Sequence, residues 1–252
     1  MLLTNINETV MRVVSKMVDF HCHFLPNMDD GSQSVAESLQ MLQLAKKQGI
    51  GKMFATPHYY SDETVAEFLS RRQDSWQKIS AAMGQGKTFP QIVLGAEVAY
   101  RQGIGNAQDL ELLCLGNSRY LLLELPFGNW DGMLFRDISA IANVRGIIPV
   151  IAHIERYLQM QPQKQIQRLL EQDVLVQMNA SVLLSWRSRG KGKKLLKNGI
   201  VHLLGSDCHN MSTRQPNLGQ AVAYLLKCRM EDQLAQVGQF SEEIFCQATE
   251  TR

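Results

Sequence analysis

Short apolar runs recur along the chain, and most are followed by a longer stretch in which apolar residues return every three or four positions. The runs lie at about 17–22, 52–56, 92–98, 120–125, 147–152, 174–179 and 201–205. They are apolar nearly throughout, as strands covered on both faces are. The periodic stretches predict helices over 34–48, 63–83, 132–144, 163–172, about 187–198 and 217–228, with two further short helices around 230–237 and 241–248. Ser34 followed by Glu37 marks a helix start, and Gly49 a helix end. Between 92–98 and 120–125, Gly103 and Gly105 suggest a loop with a short helix near 107–113. Strands joined mostly by helical crossovers predict an α/β fold: a parallel (β/α)7 TIM-like barrel, distorted because an eighth strand is missing. No repeat, low-complexity segment or linker divides the chain. Residues 17–252 read as a single domain and 1–16 as an N-terminal extension, with Met17 a candidate natural start.

Residues with metal-binding chemistry interrupt this pattern at strand ends. They are His21 and His23 after the first strand, with Asp30 in the turn that follows; His58 after the second; Glu97 ending the third; Glu124 in the fourth; His153 after the fifth; and Asp207 and His209 after the last. In a parallel barrel all these ends open onto one mouth, so groups distant in sequence converge. His21 and His23 flank one residue, which on a strand sends both side chains out by the same face. Glu124 lies in the apolar run Leu121 to Leu125, where a carboxylate is costly to bury unless paired or metal-bound. His202, early in its strand, reads as structural. Nine imidazole and carboxylate donors exceed the needs of one ion and suit two or three, of manganese, iron or zinc. Arg156 and Arg214 fall on loops at the same mouth, and a guanidinium fork matches phosphate oxygens two at a time. Metals and arginines together point to a phosphoester. Asp19 and Asp29 are candidates for orienting the ligands, or equally for plain turn or strand capping.

Composition changes this picture little. Of 252 residues 45% are hydrophobic, enough for a large core, and a net charge of +2 argues against a dedicated nucleic-acid surface. The densest basic patch, Arg187, Arg189, Lys191, Lys193, Lys194 and Lys197, reads as a solvated helix face or as a guide for anionic substrates. Five cysteines without framework spacing suit a reducing compartment. No apolar run reaches the ~18 residues of a membrane span, and no signal peptide is evident, so the expected location is cytoplasmic, with no membrane insertion. The sequence leaves the oligomeric state open.

The segments Asp19-Phe20-His21-Cys22-His23, Asp29-Asp30-Gly31-Ser32, Ala55-Thr56-Pro57-His58, Gly95-Ala96-Glu97, Leu122-Leu123-Glu124, Ala152-His153-Ile154-Glu155-Arg156-Tyr157 and Gly205-Ser206-Asp207-Cys208-His209-Asn210 run in order from residue 17 to about 215. In this the chain resembles the PHP (polymerase and histidinol phosphatase) superfamily. More closely, it resembles the metal-dependent protein-tyrosine phosphatases encoded with bacterial capsule and exopolysaccharide genes. The resemblance implies a PHP fold and a three-metal site, usually discussed with manganese. Its ligands would be His21, His23, Asp30, His58, Glu97, Glu124, His153, Asp207 and His209, with Arg156 and Arg214 holding the phosphate. It also implies attack by a metal-bound hydroxide on phosphotyrosine, carried by a bacterial tyrosine kinase that controls polysaccharide assembly. The chain departs from the family after His58, where Tyr59-Tyr60-Ser61 replaces a more polar, often histidine-rich stretch.

Three other chemistries fit parts of the pattern. A phosphatase of the same superfamily would act on histidinol phosphate or a nucleotide. A metal-dependent amidohydrolase also opens with His-x-His, but Glu124 stands where many carry a bridging lysine. Cys208 and Arg214 match the Cys-x5-Arg spacing of cysteine-dependent phosphatases, but the loop lacks the glycines that aim backbone N–H groups at phosphate.

Overall fold

The apolar runs become parallel strands of one curled sheet. The computed structural model describes residues 13–14, 16–84 and 88–250, so the expected extension 1–16 lies almost wholly outside the described residues. The strands among them are β1 (Val18–Asp19), β2 (Lys52–Ala55), β3 (His58–Tyr59), β4 (Gln91–Leu94), β5 (Glu97–Ala99), β6 (Tyr120–Glu124), β7 (Ile148–Ile151), β8 (Leu175–Asn179) and β9 (Leu203–Gly205). They pair in the orders β1-β2-β4 and β3-β5-β6-β7-β8-β9, parallel throughout.

Two expected strands are broken in half. The run at 52–56 reaches Pro57, which has no N–H for a ladder bond, and resumes as β3. The run at 92–98 bends at Gly95, where a Cβ would lie 2.5 Å from Leu115 Cδ2. Backbone bonds carry the sheet across both breaks, from Thr56 N–H to Cys22 O, Gly95 N–H to Ala55 O and Glu97 N–H to Pro57 O. At the other edge Phe20 N–H donates to Leu204 O, and Cys22 bridges Cys208.

Among the described residues the helices with both ends placed are α1 (Val35–Lys47), α2 (Val65–Ala82), α3 (Gly132–Arg145), α4 (Ile154–Met160), α5 (Gln163–Leu170), α6 (Ser181–Leu184), α7 (Arg189–Lys197), α8 (Leu218–Lys227) and α9 (Glu231–Thr249). Ser34 caps α1 as expected. Thr64 and Glu67 form a full capping box on α2, a start signal the periodicity alone did not give. The short helices α4 and α6 were not foreseen, and the stretch near 107–113 is two 3-10 turns, Ile104–Asn106 and Leu110–Leu113. None of the helices is long and apolar enough to cross a membrane.

The chain's end differs most from expectation: the two short helices are one, α9. Gly238 does not interrupt it: the residue lies on the helix's buried face, where even a Cβ would make only an ordinary 3.5 Å contact with Met17 Sδ. Leu234, Val237, Ser241, Ile244, Phe245 and Ala248 keep helical spacing on its buried face. Ile244, Phe245 and Ala248 close an apolar cluster with Val18, Phe20, Phe54, Val93, Leu122, Val150 and Leu203 of the strands. The rings of Phe20 and Phe54 lie 4.7 Å apart, and those of Phe54 and Phe245 5.2 Å. Each such ring, fully buried, contributes ~1.5–3 kcal/mol, so this apolar floor fixes the strands whose far ends carry the polar site.

The clasp between α9 and the sheet has little slack at Gly116. Its φ is +55°, and a Cβ there would meet Ala248 O at 2.4 Å. Gly116→Ala should therefore destabilise the fold by about 1–3 kcal/mol, read as a lowered urea midpoint at unchanged slope. An unshifted midpoint would mean that α9 does not seat as described.

Candidate metal centre

The strand ends bring the nine expected donors together. His21 and His23 follow β1, His58 opens β3, Glu97 opens β5, Glu124 ends β6, His153 lies just past β7, and Asp207 and His209 lie just past β9. Glu97, 1% exposed, is at the centre. Its Oε2 is 2.9 Å from His21 Nε2, 3.1 Å from His23 Nε2 and 3.3 Å from His58 Nδ1, and its Oε1 is 3.0 Å from His153 Nε2. Glu124 Oε1 reaches the same His153 nitrogen at 3.2 Å. Asp207 Oδ1 is 3.6 Å from both His21 and His23 Nε2. Asp30 is the exposed member, its side chain 67% accessible, with Oδ1 3.3 Å from His209 Nε2 and 3.7 Å from His58 Nε2. Three overlapping groups each place their donor atoms within 4.8 Å of one another: His23, Asp30, His58 and His209; His21, His23 and Asp207; His58, Glu97 and Glu124.

Two ligand positions twist the backbone. His153 (φ 34°) and Asp207 (φ 52°) occupy the left-handed region, which costs a non-glycine residue ~1–3 kcal/mol. Their N–H groups are held while the chain turns, His153 N–H donating to Gln177 Oε1 at 2.7 Å and Asp207 N–H to His21 O at 2.8 Å. Glycine at 205 is required for closeness instead, since a Cβ would lie 2.6 Å from the Cβ of His21.

A buried outer ring orients the donors. Asp29 Oδ2 contacts His23 Nδ1 at 2.7 Å and accepts from His58 N–H at 2.8 Å; Asp19 Oδ1 accepts from Ser206 N–H at 2.7 Å. Asp29 thus touches two of the candidate donors, and Asp19 the loop that carries Asp207 and His209. Sequence reasoning missed Gln177 and Asn179 on β8, which corresponds to the one of the seven expected strands without an expected donor. Gln177 Oε1 lies 3.3 Å from His21 Nδ1, its Nε2 donates to Asn179 Oδ1 at 3.0 Å, and Asn179 Nδ2 donates to Asp207 Oδ2 at 2.7 Å. The available signal was two amides in the otherwise apolar run 174–179. His202 stands apart, as expected, with Nδ1 accepting from Val176 N–H at 3.1 Å.

The electrostatics follow from burial opposed by close partners. Burial resists ionisation of Glu97, but His21, His153 and His23 hold its carboxyl well below the usual range. Burial likewise opposes the charge on Asp29, and His23 together with hydrogen bonds from His58 N–H and Gly31 N–H holds it at about 2. Burial lowers His153, yet the carboxylates of Glu124 and Glu97 raise it to about 9. His209 is pushed down to about 4 by burial and by His23.

Arg156 and Arg214 both grip Asp207 Oδ2, at 2.8 and 2.7 Å, and each remains 36% exposed. One face of each guanidinium is thus anchored while other N–H groups stay open to solvent. Tyr60 and Phe127, 48% and 43% exposed, stack on His58 and His153 at 5.1 and 6.2 Å. Tyr60 stands in the stretch where the sequence departs from the family pattern. Cys208 is fully buried and cannot serve as an exposed nucleophile.

Comparison with known proteins agrees with this geometry. The family model for capsular polysaccharide synthesis CpsB/CapC matches residues 17–245. The tyrosine-protein phosphatase YwqE of Bacillus subtilis is 31% identical over 226 residues, covering 84% of each chain. The tyrosine-protein phosphatase CpsB of Streptococcus agalactiae serotype III is 28% identical over 229 residues, covering 84% of this chain and 90% of the relative. The putative tyrosine-protein phosphatase CapC of Staphylococcus aureus is 27% identical over 213 residues, covering 79% of each. A chain from the crystal structures of YwqE from Bacillus subtilis and CpsB from Streptococcus pneumoniae, described as unique metal-dependent tyrosine phosphatases, superposes with a TM-score of 0.79 at 24% identity over 94% of this chain and 97% of that one. Below 25% identity that likeness speaks for the fold, an α/β architecture with a curled parallel sheet, while the family match and the Bacillus relative speak for kinship. The chain belongs to the CpsB/CapC family of capsular polysaccharide synthesis proteins.

Proposed function

We propose that the protein is a metal-dependent protein-tyrosine phosphatase whose ligands are His21, His23, Asp30, His58, Glu97, Glu124, His153, Asp207 and His209. The observation that carries this is the convergence of four imidazole nitrogens on the two oxygens of buried Glu97. The donors fit a cation. His58 Nδ1 and His209 Nε2 are buried yet make no hydrogen bond, although carboxylate oxygens lie 3.3 Å away. Lone pairs aimed at a common centre are costly to bury unless a cation takes them. Nine donors suit two or three ions, and a set of imidazole and carboxylate without thiolate suits manganese, iron or zinc, of which the family resemblance favours manganese. A bound divalent cation supplies Lewis acidity, polarising a phosphoryl oxygen and making water a nucleophile near neutral pH.

The chain's own residues do the rest. Arg156 and Arg214 are preorganised by Asp207, itself fixed by Asn179, so their remaining N–H groups can meet phosphoryl oxygens without reordering. Two planar forks on one phosphoryl group neutralise charge that grows towards the transition state. A tyrosyl leaving group, with a pKa near 10, needs less protonation than an alkyl alcohol. The tyrosine-phosphatase names of three relatives support phosphotyrosine as the substrate. The capsule family supports a carrier that works in polysaccharide synthesis, taken here to be a bacterial tyrosine kinase, and five free cysteines suit the reducing cytoplasm as the place of reaction. The bonds from β9 to β1 support reading the curled sheet as a distorted (β/α)7 barrel, the PHP fold, in a single domain from residue 17.

Chelator-treated protein should lose hydrolysis of a phosphotyrosyl peptide and regain it with manganese, while histidinol phosphate remains a poor substrate throughout. Full activity after metal removal, or a preference for histidinol phosphate, would overturn the assignment. Arg214→Ala should lower kcat by about 10²–10³-fold with metal content unchanged, whereas Glu97→Ala should lose the metal, as read by elemental analysis. Arg214→Ala protein as active as wild type would remove the arginine from phosphate binding.

A further inference from the structure

A cavity of about 610 Å³ opens beside the arginine pair, on the side of Asp207 away from Glu97. Arg156, Asp207 and Arg214 line it together with Ser181, Ser185 and Lys191. Asp207's charge is already met by the two guanidinium groups. Glu155 also borders the cavity, its Oε2 accepting from Asn179 N–H at 3.3 Å, so three cations, Arg156, Lys191 and Arg214, stand against two carboxylates. What faces the space is therefore net positive.

Behind Lys191 the charge continues. Residues 174–206 carry Arg187, Arg189, Lys191, Lys193, Lys194 and Lys197 and no aspartate or glutamate, although the whole chain has a net charge of only +2. None of these six cations enters an ion pair among the described residues, where the lysine and arginine ion pairs involve Lys52, Arg71, Lys78, Arg145, Arg156 and Arg214. Ser188, just before α7, and Lys191 and Leu195 on it line the cavity, at the spacing of one helix side. Trp186, at the edge of this segment, is 73% exposed with Arg187 over its ring at 5.0 Å. Lys191 lines the cavity beside the phosphate-binding arginines, and the other five cations flank it in sequence, Arg189 and Lys193 lying over the Tyr224 ring; together they are complementary to an anionic chain.

We propose that this cavity and the cationic segment behind it hold an acidic stretch of the phosphoprotein beside its phosphotyrosine. The proposal rests on the phosphatase reading and adds a sequence preference to it: the arginine pair takes the phosphoryl group, while a neighbouring aspartate or glutamate enters the cavity towards Lys191. A small aryl phosphate has no flank and does not use this surface.

The test pairs two phosphotyrosyl peptides, one flanked by glutamates and one by glutamines, with p-nitrophenyl phosphate as the flankless control. They are assayed on metal-loaded wild type, Lys191→Glu and Lys191→Gln for kcat/KM, and for Kd by fluorescence anisotropy. Wild type should favour the glutamate peptide by about fivefold, the scale of an exposed charge pair. The preference should shrink in Lys191→Gln, vanish or reverse in Lys191→Glu, and fade at high salt, with p-nitrophenyl phosphate turnover the same in all three proteins. Equal Kd values for the two peptides on wild type, or an undiminished preference in Lys191→Glu, would overturn the proposal. Absence of p-nitrophenyl phosphate hydrolysis in every protein would instead refute the phosphatase reading, and the anisotropy values would still decide whether the acidic flank docks.

Discussion

Four imidazoles surround one buried carboxylate: His21, His23 and His58 reach Glu97 Oε2 at 2.9, 3.1 and 3.3 Å, and His153 reaches Oε1 at 3.0 Å. Placing so many polar groups in the interior is among the most expensive arrangements a fold can hold, unless strong partners satisfy them. The rest of the molecule is arranged around that constraint. The apolar floor of Phe20, Phe54 and Phe245 fixes the strands. The outer ring of Asp29, Gln177 and Asn179 fixes the side chains. Two strained backbone positions, His153 and Asp207, aim donors that an ordinary strand end would direct elsewhere.

Asp207 joins the two halves of the chemistry. Its Oδ1 faces His21 and His23, while its Oδ2 holds both arginines and Asn179. One carboxylate therefore sets the distance between the cation site and the groups that would grip the phosphoryl oxygens. The same arginines line the neighbouring cavity, so substrate positioning and any preference for residues beside the phosphotyrosine share one support.

Much of this was legible in the sequence, for a definite reason. Buried strands are apolar runs, so a histidine or carboxylate at the end of one is conspicuous, and a parallel sheet gathers such ends on one side. His21 and His23 needed only the two-residue period of a strand to be placed together. Less visible were features that depend on what packs where. Gln177 and Asn179 are amides with no charge to mark them, and only their burial beside His21 and Asp207 gives them a role. Gly238 resembles a helix break until the buried face from Leu234 to Ala248 is seen to run through it, which is why α9 read as two pieces. Pro57 and Gly95 interrupt strands whose hydrophobic pattern runs on unbroken. The basic segment 187–197 was plain as charge, but its relation to Arg156 and Arg214 appears only once the cavity between them is formed.

The most direct test is X-ray diffraction from manganese-loaded crystals, with data collected on either side of the metal's absorption edge. Anomalous peaks should appear at two or three adjacent positions within bonding distance of the histidine nitrogens, with Glu97 bridging at least two of them. A loaded crystal with no anomalous peak among these side chains, or with peaks only at the surface, would contradict the account.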